Sequence, residues 1–304
     1  MRSFTKRVYC SSANIGSGYD TFGICHNAFY NDITISQLDE NGKFSIECEV
    51  NNKVDPRRNS ALHVVEKFAE KYEITGKFSM LINSTIPTGM GLGSSGSASV
   101  GATLSFSKAL DIDLDQESII QYASLGEEFA SGSRHLDNVA ASTLGNFTAV
   151  LCHKPIIAKS FPLCGGIRFL VIIPQLFSEN KTMENRRLIP ETVKVNETVG
   201  NVRYASSLMA GLVSNDMELI RFGLNDKIFE RARSRKYPFF YDLRKICLKN
   251  EALGLVMSGS GPTMLCFMDE KTDVLNLRRQ IDAYFLTIKL NYITSISYPS
   301  EGVL

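Results

Sequence analysis

Residues 87–102 read PTGMGLGSSGSASVGA, with five glycines, four serines and no charged side chain in sixteen positions. Glycine permits backbone conformations that a Cβ forbids, so successive N–H groups can converge on one point. A helix that begins just after such a loop adds unpaired N–H donors and the positive end of its dipole. The stretch therefore predicts a backbone cradle for an anion, most often a phosphate group.

Other interpretations of the same glycines are less consistent with the sequence around them. The Walker motif needs a lysine directly after its last glycine, and none stands there. The dinucleotide fingerprint G-x-G-x-x-G is present as Gly91, Gly93 and Gly96, but Pro87 and the residues after it separate these glycines from the preceding strand-like sequence. Its acidic residue would follow a second strand, whereas Asp111 follows helix-like sequence. Glycine content alone also leaves an ordinary flexible turn open.

Composition describes a globular chain. The 304 residues are 44% hydrophobic and 21% charged, which is enough for one large or two ordinary domains. A formal net charge of +1 predicts no nucleic-acid or anionic-membrane partner. The longest apolar runs, such as FLVIIP at 169–174, are too short to span a bilayer, and the first residues lack a secretion signal. Seven scattered cysteines without a CxxC pair favour reduced thiols in a cytoplasmic protein.

Hydrophobic periodicity predicts two halves of different organisation. Strands of the first half are expected at 28–36, 44–50, 77–84 and 146–152, and its helices at 59–73, from the glycine stretch to about 110, and at 115–130. The second half has the order β-α-β-β-α-β apart from extra helices, which is typical of a ferredoxin-like unit. We place the boundary at Pro155, between an N-terminal domain of residues 1–155 and a C-terminal domain of residues 156–304.

Three motifs in order resemble those of the GHMP kinases, the superfamily of galactokinase, homoserine kinase, mevalonate kinase and phosphomevalonate kinase. They are SSANIGSGYDTFG (11–23), PTGMGLGSSGSAS (87–99) and VMSGSGPTMLCF (256–267). Within the superfamily the chain is most similar to the homoserine kinases, through its Ser-Ala-Asn start, YASLGEEFASGSRHLDNVA (122–140) and DKIFERAR (226–233). The resemblance implies an α+β fold of two domains. The N-terminal domain would be like domain 2 of ribosomal protein S5, the C-terminal domain would be ferredoxin-like, and ATP would lie between them.

The same resemblance implies phosphorylation of the hydroxyl of L-homoserine by ATP and Mg²⁺, in a chain that forms a homodimer. Ser95 and Glu127 would hold Mg²⁺, which prefers hard oxygen ligands. Asn59 matches a position that contacts adenine. The residues expected at the nucleotide are Asn59, Pro87, Thr88, Gly89, Met90, Gly91, Leu92, Gly93, Ser94, Ser95, Gly96 and Ser97.

The residues expected on the substrate side by resemblance are Asn14, Asp20, His135, Asn138, Thr182, Arg186 and Arg233. Asn14 and Asp20 would bind the amino and hydroxyl ends of homoserine. Arg186 and Arg233 would grip its carboxylate in a fork. An aspartate comparable to Asp137 is the proposed base of mevalonate kinases, whereas homoserine kinases lack a dedicated base, so the role of Asp137 stays open. The third glycine motif would support the central loop.

Two alternatives to a homoserine kinase remain at this point. One is a related kinase that acts on mevalonate or a sugar, and the other is a binding module that kept the fold and lost activity. The arginine pair and the SANIGSGYD loop (12–20) together favour an amino acid as substrate, because a guanidinium suits a carboxylate and the carboxylate of Asp20 suits an ammonium group. The presence of Ser95, Glu127 and the glycines argues against a loss of activity.

Overall fold

A computed structural model describes residues 2–51, 59–132, 134–163, 166–176 and 185–304. Its first sheet has six strands in the order β3-β4-β2-β5-β6, with β1 paired beside β2. These strands are β1 (Ser3–Ala13), β2 (Phe22–Asp39), β3 (Ser45–Val50), β4 (Lys77–Ser84), β5 (Phe147–His153) and β6 (Ile156–Phe161). The helices of this half are α1 (Ser60–Lys71), α2 (Ser94–Ala109), α3 (Gln116–Ser131) and α4 (Leu136–Leu144).

The second sheet has four antiparallel strands in the order β10-β7-β9-β8. They are β7 (Arg168–Pro174), β8 (Gly254–Met257), β9 (Met264–Met268) and β10 (Tyr292–Ser297). The helices are α5 (Val195–Ser214), α6 (Met217–Gly223), α7 (Phe229–Arg233), α8 (Phe240–Lys249) and α9 (Val274–Ile288). This topology confirms the predicted ferredoxin-like unit.

The structure adds elements that periodicity did not predict, namely β1, β6, α4 and the short helices α6 and α7. The first motif therefore begins inside β1, because Ser11 and Ser12 are buried strand residues rather than part of a turn. Strand β6 pairs with β5, so the first sheet continues past Pro155 to Phe161. The second sheet begins only at Arg168. After α2 the chain enters α3 instead of a strand, which removes the context that a dinucleotide fingerprint requires.

Helix α2 lies at the centre of the first half. Thirteen of its sixteen residues are buried, most of them small. A Cβ at Gly101 would lie 2.6 Å from Ile33 Cγ1, so the helix lies almost directly on β2. Several of its buried hydroxyls donate to the backbone; Ser105, for example, donates to the Ile33 carbonyl at 2.8 Å. Small residues thus let this helix reach the sheet, which places its N-terminus at the middle of the molecule.

One hydrophobic cluster joins the two sheets. It combines Phe22 and Phe147 of the first sheet, Phe169 and Phe267 of the second, and Leu92 of the central glycine loop. After β10 the chain returns to the first half through isolated bridges such as Gly145 to Glu301. Across the described ranges, no helix has the length and apolar character needed to cross a membrane. The glycine loop therefore lies where the two sheets meet.

Candidate active site

The central loop ends at α2 with three glycines in left-handed conformations. Gly89, Gly91 and Gly93 have φ values of 70°, 80° and 62°. Gly93 is the N-cap of α2, and no side chain caps this helix. A Cβ at Gly93 would come within 2.1 Å of Ser11 Oγ, so glycine is required there for space as well as for φ. An uncapped helix end that follows left-handed glycines is a geometry in which backbone N–H groups can bind an anion.

Ser95 and Glu127 meet beside this helix end. The Ser95 hydroxyl donates a hydrogen bond to Glu127 Oε1, although 32 residues separate them in sequence. Glu127 is only 4% exposed, and burial raises the pKa of its carboxyl despite the Ser95 hydrogen bond and the nearby His135. A buried carboxylate and a hydroxyl next to a phosphate cradle are the oxygen ligands that suit Mg²⁺.

Asp20, His135 and Arg186 form a charged cluster. Nη2 of Arg186 lies 3.1 Å from both carboxylate oxygens of Asp20 and 3.1 Å from Nδ1 of His135. Asn14 accepts from the backbone N–H of Asp20 at 2.9 Å, and Asp20 itself has φ 51°. Three segments distant in sequence thus meet at one carboxylate, which places these four predicted substrate residues together.

The charges in this cluster alter one another's titration. Burial alone would raise the pKa of Asp20, but the hydrogen bond from His135 and the charge of Arg186 outweigh it and lower that pKa. Burial would likewise lower the pKa of His135, and the hydrogen bond to Asp20 with the charges of Asp137 and Glu127 raises it instead. Asp20 is therefore an anion at neutral pH.

Arg233 is buried near the same cluster. It is 3% exposed, and its Nη1 donates to the carbonyl of Gly259 in the third glycine motif. Its guanidinium lies 5.2 Å from the ring centroid of Tyr19, which stacks on Phe229 at 4.3 Å. The Nε of Arg233 is buried and has no hydrogen-bond partner among the described residues. An unused buried donor of this kind suits a ligand carboxylate.

Asp137 and Asn138 lie in the first turn of α4. Asp137 is 1% exposed, and burial, helped by the charge of Asp20, raises its pKa to about 6. Its Oδ2 has no hydrogen-bond partner within the described part of the chain. Asn138 accepts from the Ser11 hydroxyl at 3.0 Å, which ties α4 to β1.

The third glycine motif packs against the central loop, as predicted. Ser258 Oγ lies 2.6 Å from the Gly91 carbonyl oxygen, and Thr263 donates its N–H to the Met90 carbonyl at 3.4 Å. The N–H of Gly259 donates to the Ala13 carbonyl at 2.9 Å, so the motif also touches the end of β1. Its role is to join the two halves beside the phosphate cradle.

For two of the predicted site residues, the described part of the structure gives no contact with the rest of the candidate site. Asn59 caps α1 by accepting from the Ala61 N–H at 2.8 Å, a structural contact that periodicity did not predict. Thr182 lies outside the described residues.

Sequence reasoning also missed Tyr19, although it stands within the first motif, and Asn185, which donates to Tyr237 Oη at 3.0 Å. No pattern in the sequence signals Asn185, because its partners lie 50 or more residues away.

Comparison with known proteins agrees with this geometry. The family model for the GHMP kinases N terminal domain matches residues 59–146, and the model for GHMP kinases C terminal matches residues 208–286. A homoserine kinase of Sulfolobus acidocaldarius is 37% identical over 277 residues, which cover 90% of this chain and 90% of that protein.

Solved structures share the fold. Homoserine kinase from Cytophaga hutchinsonii superposes with a TM-score of 0.89 at 24% identity, over 99% of this chain and 96% of that one. Mevalonate kinase of L. major matches with a TM-score of 0.69 at 12% identity, over 98% and 97% of the two chains. Sequence identity over nearly the whole length, with both family models in order, shows that this chain belongs to the GHMP kinase family and has homoserine kinases among its relatives.

Proposed function

We propose that this chain transfers the γ-phosphoryl group of ATP to the side-chain hydroxyl of L-homoserine, giving O-phospho-L-homoserine on the route to threonine. The observation that carries the proposal is the charged cluster beside the phosphate cradle. Asp20 offers a negative charge and Arg186 a positive one at 3.1 Å from each other, which is the complement of a small zwitterion. Mevalonate and sugars lack the ammonium group that Asp20 would bind.

The nucleotide half of the proposal rests on the glycine loop. Backbone N–H groups between Gly89 and Ser97 would bind the phosphates, and Asn59, the N-cap of α1, would contact the adenine. Ser95 and Glu127 would hold Mg²⁺, which neutralises charge on the transferred phosphoryl group. Phosphoryl transfer needs mainly positioning and charge stabilisation, so no covalent nucleophile is required from the protein.

The substrate half assigns each remaining residue one task. Asp20 binds the ammonium group with Asn14 beside it, and Arg186 and Arg233 bind the carboxylate. The family resemblance adds His135, Asn138 and Thr182 to the substrate side. Asp137 is our candidate to accept the hydroxyl proton, because its buried Oδ2 has no hydrogen-bond partner in the described structure and its pKa of about 6 leaves it ionised at neutral pH. If Asp137 does not act as a base, the proton of the substrate hydroxyl passes directly to the phosphoryl oxygens.

Two properties of the whole protein belong to the same proposal. We expect the chain in the cytoplasm, as for an ATP-dependent step of amino-acid biosynthesis, and the family resemblance makes a homodimer the expected assembly. Light scattering after size-exclusion chromatography tests the second directly, by a mass of about twice the 33.7 kDa of the chain.

The decisive experiment offers ATP and Mg²⁺ with a panel of acceptors, namely L-homoserine, mevalonate and galactose. Phosphorus NMR of the products identifies the phosphorylated hydroxyl. We expect phosphorylation of homoserine alone. Phosphorylation of mevalonate or galactose without homoserine would move the assignment to another kinase of the family, and ATP binding without any product would favour a binding module.

A further inference from the structure

A line of buried hydrogen bonds runs from the central loop through the joint between the two sheets. The carbonyl oxygen of Gly91 lies 2.6 Å from Ser258 Oγ, which lies 2.7 Å from Ser12 Oγ. Ser12 Oγ in turn lies 3.0 Å from Nε2 of His26. The three side chains are completely buried, so water does not replace any of these contacts. The line connects the phosphate cradle to a histidine in β2 that has no place in the proposed chemistry.

Counting hydrogens gives this line a single direction. The carbonyl oxygen of Gly91 carries no hydrogen, so its 2.6 Å contact requires Ser258 to donate. A hydroxyl has only one hydrogen, so Ser258 must accept from Ser12. Ser12 has then used its own hydrogen and must accept from Nε2 of His26. The order of donors therefore begins at the imidazole ring and ends at the glycine loop.

The surroundings of His26 permit the required form of the ring. Burial lowers the pKa of His26 to about 3, so the ring is neutral at working pH and carries one hydrogen. Ser297 Oγ at the end of β10 lies 3.1 Å from Nδ1 and 3.2 Å from Asn27 Oδ1. Because Nε2 holds the only hydrogen of the ring, the Ser297 hydroxyl donates to Nδ1, and Asn27 Oδ1 still accepts from the Tyr298 N–H at 2.9 Å. Cys10 Sγ lies 3.4 Å from Nδ1 and 3.8 Å from Nε2, but its thiol donates to the His26 carbonyl at 3.1 Å, and burial raises the pKa of that thiol to about 12. With Nδ1 as acceptor, the hydrogen of the ring stays on Nε2.

We propose that His26 is a positioning residue of the nucleotide site, acting through Ser12 and Ser258 on the carbonyl of Gly91. Gly91 has φ 80°, and because glycine adopts positive and negative φ about equally well, the backbone at this position is not held by its own conformational preference. The Ser258 hydroxyl holds its carbonyl against the third motif and away from the cradle, where an oxygen would repel phosphate. The inference rests on the proposed ATP site and adds a residue that lies outside all three motifs.

Two amide substitutions distinguish the hydrogen bond made at Nε2 of His26 from the one made at Nδ1. In His26→Gln the side-chain NH₂ reaches the place of Nε2 and can still donate to Ser12. In His26→Asn the shorter amide reaches only the place of Nδ1, towards Ser297. Both variants bury one amide in place of the imidazole ring, so we expect a similar loss of stability in each. Each variant therefore controls for the general effect of replacing the ring in the other.

Calorimetric titration with ATP is the primary measurement, with KM for homoserine as the second. We expect His26→Gln to keep the Kd for ATP within about twofold and His26→Asn to raise it about three- to tenfold, the scale of one net hydrogen bond. KM for homoserine stays unchanged in both. Equal Kd values for the two variants, or a parallel rise in KM for homoserine, overturn the proposal. Failure of the wild type to bind ATP overturns the proposed function instead.

The tautomer supplies a test that needs neither activity nor a folded variant. The chain has four histidines, so nitrogen spectra of protein labelled at histidine are simple enough to assign. We expect a neutral His26 ring protonated at Nε2 from pH 5 to 8. Protonation at Nδ1, or a ring that titrates in this range, contradicts the direction derived above.

Discussion

Nη2 of Arg186 is 3.1 Å from both carboxylate oxygens of Asp20, so the residues proposed to bind opposite charges of the substrate are paired with each other. The side chains are each about a third exposed, at 36%, so solvent screens the pair and its contribution to stability is small. A zwitterion that enters this site replaces the ion pair between Asp20 and Arg186 by two new pairs, one between its ammonium group and Asp20 and one between its carboxylate and Arg186. A substrate with only one charge leaves the other partner unpaired.

The first prediction concerns Arg186→Ala. Loss of a charge-assisted contact in a partly closed site costs about 2–4 kcal/mol, so KM for homoserine should rise by about 10². KM for ATP should change little. Initial rates at varied concentrations of each substrate measure both. Arg187→Ala is the matched control, because Arg187 is the next residue and is exposed. Equal effects of the two substitutions would show that Arg186 is an ordinary surface residue.

The second prediction concerns Glu127→Gln, which keeps shape and removes charge. Turnover should fall by two to three powers of ten, about 3–4 kcal/mol, and the Mg²⁺ concentration for half-maximal rate should rise. Thermal unfolding should be unchanged or later, because burial disfavours the charge of Glu127. Glu128→Gln provides the control on the same helix, since Glu128 is half exposed and pairs with Arg134. Normal turnover with normal Mg²⁺ dependence contradicts the assignment.

The third prediction uses the pKa of Asp137, raised from 3.8 to about 6 by burial and by Asp20. The folded state binds this proton more tightly than the unfolded state, so the ionised carboxyl costs stability above pH 6 and not below about pH 4. That gap corresponds to about 3 kcal/mol. Asp137→Asn should therefore stabilise the ligand-free protein in urea at pH 8, with the gain disappearing as pH falls to 4.

The same substitution tests the proposed proton acceptor. Turnover of Asp137→Asn should fall by on the order of 10² or more, the usual contribution of a general base. A variant that is more stable at pH 8 and equally active would mean that the hydroxyl proton passes straight to the phosphoryl group.

The fourth prediction compares substrates at Arg233. Arg233→Lys keeps the charge but loses the fork, so KM for homoserine should rise by about tenfold or more. For the wild type, 3-aminopropan-1-ol, which lacks the carboxylate, should be a poor substrate. Its rates should be nearly the same in the variant, because the contact is already missing. Arg231→Lys is the control, since Arg231 is 67% exposed and pairs with Glu197. An equal loss on both substrates would indicate damage to the fold.

The fifth prediction separates backbone strain from close contact in the glycine loop. Gly89→Ala adds a Cβ with nothing within 4 Å, so only the left-handed φ of 70° opposes it, at about 1–2 kcal/mol. Gly93→Ala meets the same strain and also lies 2.1 Å from Ser11 Oγ. Urea denaturation should show a larger loss for Gly93→Ala, and titration should show weaker ATP binding. Equal losses at the two positions would mean that Ser11 moves aside freely.

The sequence alone was sufficient for the family, the order of the main elements and most of the candidate site. Glycines before a helix are a local signal, because backbone freedom and helix N–H groups act over a few residues. Asp115 likewise caps α3 as its position predicts, accepting from the Ser118 N–H at 2.8 Å. Resemblance to the family supplied the rest, including Glu127 in the segment 122–140, which stands next to the exposed Glu128.

Only the tertiary structure decided which distant residues meet. The contact between Ser95 and Glu127 and the pairing of Asp20 with Arg186 join segments 32 and 166 residues apart, and no periodicity encodes such pairs. The same is true of β6, whose place in the first sheet depends on its pairing with β5. His26 is the clearest case, because its neutral ring follows from burial and its direction of donation follows from the hydroxyls of Ser12 and Ser297 and from the contact of Ser258 with Ser12. Local sequence sets which conformations a segment can adopt, whereas long-range packing sets the dielectric and the partners that give a side chain its chemistry.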